Sequence, residues 1–289
     1  MERSRETVRS VSVSVMVMVS VPGQGGGGRM AAGARTETDG TRNPWLRRVP
    51  GQGAAGRVRL ICLPYAGGGA GVYRDWLHAG PEMGVEVLAV RPPGREQRFG
   101  ETPFHDARSL AARLATVLEP YLDVPYALYG HSVGGVVGLA LAHELARSPR
   151  SRQPTGLFVG AGVAPASLRP RPEWSGSDAE LTEWLRRTGG TPRSVLARPG
   201  LVARVLPALR ADLAMAAGYR RRPGERLTVP IRGFAGTADP MAPAAAMTGW
   251  GAETTGRFRL SQVPGGHFFL AESGRQVLAG IAEQLLAGA

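Results

Sequence analysis

The hydrophobic pattern changes character near residue 57, and from there onward it keeps a regular rhythm. Short apolar runs at 59–63, 85–90, 126–129, 157–160, 231–235 and 257–263 read as strands. Between them, 73–77, 110–122 and 133–146 carry apolar residues at helical spacing, and 276–286 closes the chain as an amphipathic helix. The stretch 136–145 is apolar almost all round, which suits a buried helix. Strands alternating with helices predict an α/β fold, a mostly parallel sheet with helices over both faces. The rhythm lapses between 161 and 230. Residues 178–188 and 200–219 read as helices there, with Ser177 or Asp178 as N-cap and Gly189-Gly190 as a stop, and no strand is evident. Such an excursion between two strands would lie over the rim of the sheet as a lid spanning about 168–226. No internal repeat is present.

Residues 1–56 have another texture. A basic start leads into the alternation of valine with serine and methionine at 11–19, then into four glycines at 25–28. The apolar run is too short to span a bilayer, and its serines weaken it as a signal-peptide core. It is expected to be a disordered extension or a misassigned start. Residues 57–289 then form the folded domain, the protein is cytoplasmic with no membrane association, and removal of residues 2–50 leaves fold and activity intact.

Composition sharpens this picture in two ways. The 289-residue chain has a formal net charge of +12, and every basic residue in that balance is arginine. Together with 41 glycines this reads first as the imprint of a GC-rich genome, and second as attraction to an acidic partner. The arginines are scattered and no aromatic-interleaved basic helix is present, which argues against nucleic acid. The single cysteine, Cys62, lies inside an apolar run. It cannot form a disulfide framework or a cysteine-rich metal site, and a reducing compartment follows.

The chemistry is expected at Gly130-His131-Ser132-Val133-Gly134, between a strand-like and a helix-like segment. A serine in Gly-x-Ser-x-Gly in that setting has the sequence form of a nucleophile elbow, with the hydroxyl at the tip of a tight turn. A serine needs a base, and the base an orienting acid. In the order this arrangement uses, both follow the serine, acid first. Of the five histidines, His78 and His105 precede Ser132, His131 adjoins it, and His143 lies in the helix leaving it. That leaves His267, after the Pro264-Gly265-Gly266 turn. The acids between Ser132 and His267 are Glu144, Glu173, Asp178, Glu180, Glu183, Asp212, Glu225, Asp239 and Glu253. Asp239 is preferred because Thr237-Ala238-Asp239-Pro240 is a turn directly beyond a strand, where doubly wound sheets carry functional groups. Asp212 is the rival and reads as structural, because a lid helix holds an imidazole poorly. The histidines lack a metal-ligand spacing, so neither metal nor cofactor is expected.

Several of these segments resemble the stand-alone type II thioesterases that accompany polyketide synthases and nonribosomal peptide synthetases. The resemblance covers about 60–286. It rests on Leu63-Pro64-Tyr65-Ala66-Gly67-Gly68-Gly69, Pro93-Gly94-Arg95-Glu96-Gln97-Arg98, the elbow, Gly189-Gly190-Thr191-Pro192, Leu209-Arg210-Ala211-Asp212 and Pro264-Gly265-Gly266-His267-Phe268-Phe269-Leu270. It implies an α/β-hydrolase fold with a helical lid, in which Ser132, Asp239 and His267 fall on the triad. The oxyanion donors it implies are the backbone N–H groups of Val133 and of Ala66. The implied partners are acyl or peptidyl carrier protein domains bearing phosphopantetheine; the sequence leaves the oligomeric state open, with a monomer favoured. Val133 and Gly135 depart from the long side chain, such as methionine, and the alanine usual at those places, and Gly160-Ala161-Gly162 lacks the usual basic residue; both bear on pocket shape. Arg95, Glu96 and Arg98 either steer a carrier or form a solvated loop of ion pairs. A carboxylesterase or a product-releasing terminal-type thioesterase shares the same elbow, and a non-catalytic carrier-binding protein is a further alternative.

Overall fold

The computed structural model describes residues 43–49, 58–148 and 152–287. Among the described residues seven strands form one sheet: β1 (Leu46–Arg47), β2 (Val58–Leu63), β3 (Val85–Val90), β4 (Tyr126–His131), β5 (Leu157–Gly160), β6 (Ile231–Gly236) and β7 (Phe258–Val263). The helices are α1 (Arg74–Glu82), α2 (Ala107–Leu118), α3 (Val133–Arg147), α4 (Pro172–Ser175), α5 (Asp178–Thr188), α6 (Arg193–Leu196), α7 (Pro199–Gly218), α8 (Ala244–Met247) and α9 (Leu270–Ala287). In space the strands run β1-β3-β2-β4-β5-β6-β7, and every neighbouring pair is parallel except β1 against β3.

β2 and β4 are buried along their whole length because helices cover both faces. Successive side chains go to opposite sides. Ile61, Leu63, Tyr126 and Leu128 join Leu114 of α2 and Leu139 of α3 in one cluster, while Leu60, Cys62, Ala127 and Tyr129 join Trp76 of α1 and Leu278 of α9 in another. Each large side chain so buried contributes about 1.5–3 kcal/mol. The chain leaves β2 for β3 on one side, then crosses back to β4 on the other. A crevice therefore opens beyond the C-terminal ends of β2 and β4, the place where doubly wound sheets hold their ligands.

The excursion between β5 and β6 is helical, as its pattern predicts. Leu181, Trp184 and Leu185 of α5 pack against Val202, Leu206, Leu209 and Leu213 of α7 in a third cluster. Ser177 is the N-cap of α5: its Oγ accepts from Glu180 N–H at 3.3 Å, and Glu180 Oε2 accepts from Ser177 N–H at 2.7 Å. Gly189 closes the helix at φ 77°.

Several boundaries differ from expectation: α1 runs on to Glu82, and α9 starts at Leu270 rather than at 276. Helix α2 begins at Ala107 because the Asp106 carboxylate accepts from Ser109 N–H at 2.7 Å and caps it there. The fold takes in residues before 57, because Leu46–Arg47 already form a strand of the sheet. Leu46 pairs with Val90, Arg91 N–H donates to Trp45 O at 2.7 Å, and the Arg98 guanidinium lies 3.6 Å from the centre of the Trp45 ring. Of the extension expected at 1–56, residues 1–42 and 50–56 lie outside the described residues. Among the described residues no helix is long and apolar enough to cross a membrane.

Candidate active site

β4 ends in the elbow, and α3 starts at Val133 with Ser132 as its N-cap. Ser132 sits at φ 54° and ψ −117°, a region that costs a non-glycine residue strain and lifts its hydroxyl off the strand. The turn is tight enough that a Cβ on Gly130 would lie 2.1 Å from Gly134 O, and one on Gly134 would lie 2.2 Å from Leu63 O. The two glycines let β4, α3 and the end of β2 meet at one point.

Asp239 lies in the turn after β6 and His267 in the loop between β7 and α9. The structure brings both to Ser132: His267 Nε2 is 3.1 Å from Ser132 Oγ, and His267 Nδ1 is 2.9 Å from Asp239 Oδ2. The other carboxylate oxygen, Asp239 Oδ1, accepts from Met241 N–H at 2.8 Å and from Ala242 N–H at 3.0 Å. Burial alone would raise the Asp239 carboxyl. The hydrogen bond and charge of His267, with those two backbone donors, outweigh burial and hold it below the usual carboxylate range. The acid is thus ionised and held in one orientation, with one oxygen facing the imidazole.

His131, next to the serine in sequence, ties β4 to the histidine loop. Its Nε2–H donates to the His267 carbonyl at 2.7 Å, and its Nδ1 accepts from the Tyr129 hydroxyl at 3.1 Å. The ring is fully buried. Burial, then the neighbouring His267, push its pKa down to about 3, so it is neutral and anchors the backbone of the histidine loop. Tyr129 reads in the sequence only as one more apolar residue of a strand, and nothing local marks it as part of this chain of bonds.

Ala66 and Val133 both line the cavity beside Ser132. Val133 is the first residue of α3, where a helix leaves its N–H groups without an internal acceptor. On the β2 loop the amides after Ala66 are engaged: Gly67 N–H donates to Asp212 Oδ2 at 2.8 Å and Gly68 N–H to Tyr65 O at 2.9 Å. Asp212 is therefore bound to the β2 loop and to Arg95, not to the imidazole. Arg95 and Arg98 are paired with Asp212 and Glu101, and Glu96 pairs with Arg91; the ion pairs are there, but both arginines are buried rather than solvated.

The cavity has a volume of about 270 Å³ and runs from Ser132 and His267 toward α5 and α7. Its walls include Val136, Trp174, Trp184, Leu209, Leu213 and Met241, a lining suited to an aliphatic or aromatic chain. Phe268 stands edge-on to both His267 and Tyr65, with ring centres 5.1 Å and 5.0 Å away. Trp174 and Trp184 meet edge to face at 6.3 Å. Cys62 is buried in β2, and burial pushes its thiol pKa up. Among the described residues no group of three or more His, Cys, Asp or Glu side chains could hold a metal ion.

A family model described as a thioesterase domain matches residues 58–286. The thioesterase PikA5 of Streptomyces venezuelae is 35% identical over 247 residues, which cover 84% of this chain and 85% of that protein. The gramicidin S biosynthesis protein GrsT of Aneurinibacillus migulanus is 32% identical over 233 residues, 80% of this chain and 90% of the relative. Among solved structures, that of the type II thioesterase BorB from the borrelidin biosynthetic cluster resembles this one with a TM-score of 0.74 and 36% identity, over 86% of this chain and 100% of that one. The matched region runs from β2 into α9 and takes in the elbow, the acid turn and the histidine loop; the chain belongs to the thioesterase family and has its α/β-hydrolase fold.

Proposed function

We propose that this protein hydrolyses acyl thioesters on the phosphopantetheine arms of carrier proteins, clearing stalled or misprimed chains in polyketide or nonribosomal peptide biosynthesis. The observation that carries the reading is the hydrogen-bonded line Ser132–His267–Asp239 opening on an apolar cavity, in a chain of the thioesterase family. Ser132 Oγ attacks the thioester carbonyl while His267 Nε2 takes its proton, and Asp239 keeps the imidazole in the tautomer that can accept it. The oxygen of the tetrahedral intermediate takes its negative charge against the N–H groups of Ala66 and Val133. Collapse expels the thiol with the proton from His267 and leaves an acyl-serine. Water then attacks the ester carbonyl, giving its proton to His267, and the acid departs as Ser132 regains its own.

The relatives point to the substrate: one is named for gramicidin S biosynthesis and another is a type II thioesterase of a borrelidin cluster. The reading makes the protein a monomeric cytoplasmic enzyme working without metal or cofactor, with the helical excursion as its lid. The test is kcat/KM for one acyl group offered on a carrier, on coenzyme A, on a short thiol and as an oxygen ester, with Ser132→Ala as control. Preference for the carrier and loss of turnover in Ser132→Ala are expected. Equal values on all thioesters would leave a general thioesterase, and faster cleavage of the oxygen ester would make the protein an esterase.

A further inference from the structure

A peptide unit is planar, so the direction of the Ala66 N–H is set by where the Tyr65 carbonyl on the same plane points. Tyr65 O accepts from Gly68 N–H at 2.9 Å, which turns the opposite edge of that plane, and with it the Ala66 N–H, away from the turn. The flanking groups are gripped from beneath. Gly67 N–H donates to Asp212 Oδ2 at 2.8 Å, Gly68 O accepts from Arg95 Nη1 at 3.0 Å, and Gly71 N–H donates to Glu96 Oε1 at 2.8 Å.

Two of these three contacts come from one ion pair. Arg95 Nη1 and Nη2 donate to Asp212 Oδ2 and Oδ1 at 2.6 Å and 3.0 Å, and Arg95 Nε donates to Pro93 O at 3.2 Å. Both side chains are 8% exposed. They border a small void together with Val133 and Gly134, so the pair lies beneath the elbow amide as well as beneath the β2 loop. Neither side chain lines the cavity that Ser132 opens on. An ion pair withdrawn from water is a poor source of stability, because apolar residues of similar volume do as well or better. What a bidentate pair supplies is a fixed geometry.

We propose that Arg95 and Asp212 are positioning residues for the oxyanion site: the buried pair sets the peptide plane that carries the Ala66 N–H. Because Asp212 belongs to α7, it also makes that setting depend on how the helical excursion is seated. The proposal rests on the reading of Ala66 and Val133 as oxyanion donors.

The test uses Asp212→Asn, Arg95→Met, Arg95→Lys and the double variant Arg95→Met/Asp212→Leu, which removes both charges without stranding either. In the double variant kcat should fall about 10²-fold, the scale on which a lost or displaced oxyanion donor acts, with KM changed by less than about threefold. Its melting temperature should equal or exceed the parent's, and Arg95→Lys should recover part of the kcat lost in Arg95→Met. A trifluoromethyl ketone analogue of the substrate reads the oxyanion directly. Ser132 oxygen adds to its carbonyl carbon, the serine proton passes to His267, and the negative charge stays on the former carbonyl oxygen. Binding of this analogue should weaken in step with kcat, while an unreactive thioether analogue should bind as before. A folded double variant with the parent's kcat, or equal loss for both analogues, would overturn the proposal; unfolding of both Asp212→Asn and the double variant would assign the pair to stability and overturn it too. Ser132→Ala separates the two levels: turnover surviving in it would bring down the serine mechanism itself, whereas its inactivity beside a fully active double variant would bring down only the role of the pair.

Discussion

At the residue scale, one hydroxyl, one imidazole and one carboxylate account for the expected chemistry, and each can be removed singly. Ser132→Ala and His267→Ala should each lower kcat by a factor on the order of 10⁴ to 10⁶, and Asp239→Asn by somewhat less, since groups that act as a unit fail nearly together. Steady-state kinetics on proteins of unchanged circular dichroism checks this, and a larger loss in Asp212→Asn than in Asp239→Asn would reassign the acid. His131 supports a different prediction. It is buried neutral with its pKa pushed down to about 3, whereas an unfolded histidine titrates near 6.5. Between those values the unfolded chain binds a proton that the folded chain refuses, so stability is full above about pH 6.5 and falls as pH drops toward 3. Urea unfolding of His131→Gln at pH 5 should show proton uptake smaller by about one than in the parent. Ser132 and His267 were legible because a glycine-spaced serine and a histidine beyond a strand carry local signals. The Arg95–Asp212 bond was not, because its partners stand 117 positions apart and only the closure of α7 over the β2 loop brings them together.

At the scale of elements, the periodic pieces were legible and the short ones were not. Strands β3 and β5 and helix α5 lie where the pattern puts them, because each is long enough to show its period or its cap. β1 has two residues, too few for alternation to register, and its hold on the sheet comes from Trp45 packed at 6.2 Å against Phe104 and capped by Arg98. The expected indifference to removal of residues 2–50 is therefore divided. A chain starting at residue 43 should keep the parent's melting temperature, and one starting at residue 50 should lose about 5 °C, the scale for uncovering one large side chain in a domain of this size. The turn after α5 lies against the site in a way that a third change can test. A Cβ on Gly190 would lie 2.1 Å from Phe268 Cζ, and Phe268 stands against His267. Gly190→Ala should lower kcat/KM about 10-fold by turning that ring, and should cost little further in a Phe268→Ala background, a coupling that a double-mutant cycle measures.

For the whole molecule, the +12 balance bears on how substrates arrive more than on how the chain folds. If the partner is an acidic carrier, its advantage in kcat/KM over a small neutral thioester should shrink as salt rises from about 0.05 to 0.5 M, because the Debye length contracts below the span of the approaching surfaces. A ratio constant across that range would mark the arginines as an imprint of base composition alone. The two-residue β1 has a consequence of another kind. It occupies the outer ladder positions of β3 at Ala89 and Val90, which without it would present open N–H and C=O groups on an apolar strand. Such an edge is a template for pairing with another chain. A protein shortened past Arg47 should therefore betray itself first by self-association, with light scattering that grows with concentration at temperatures where the fold is still intact.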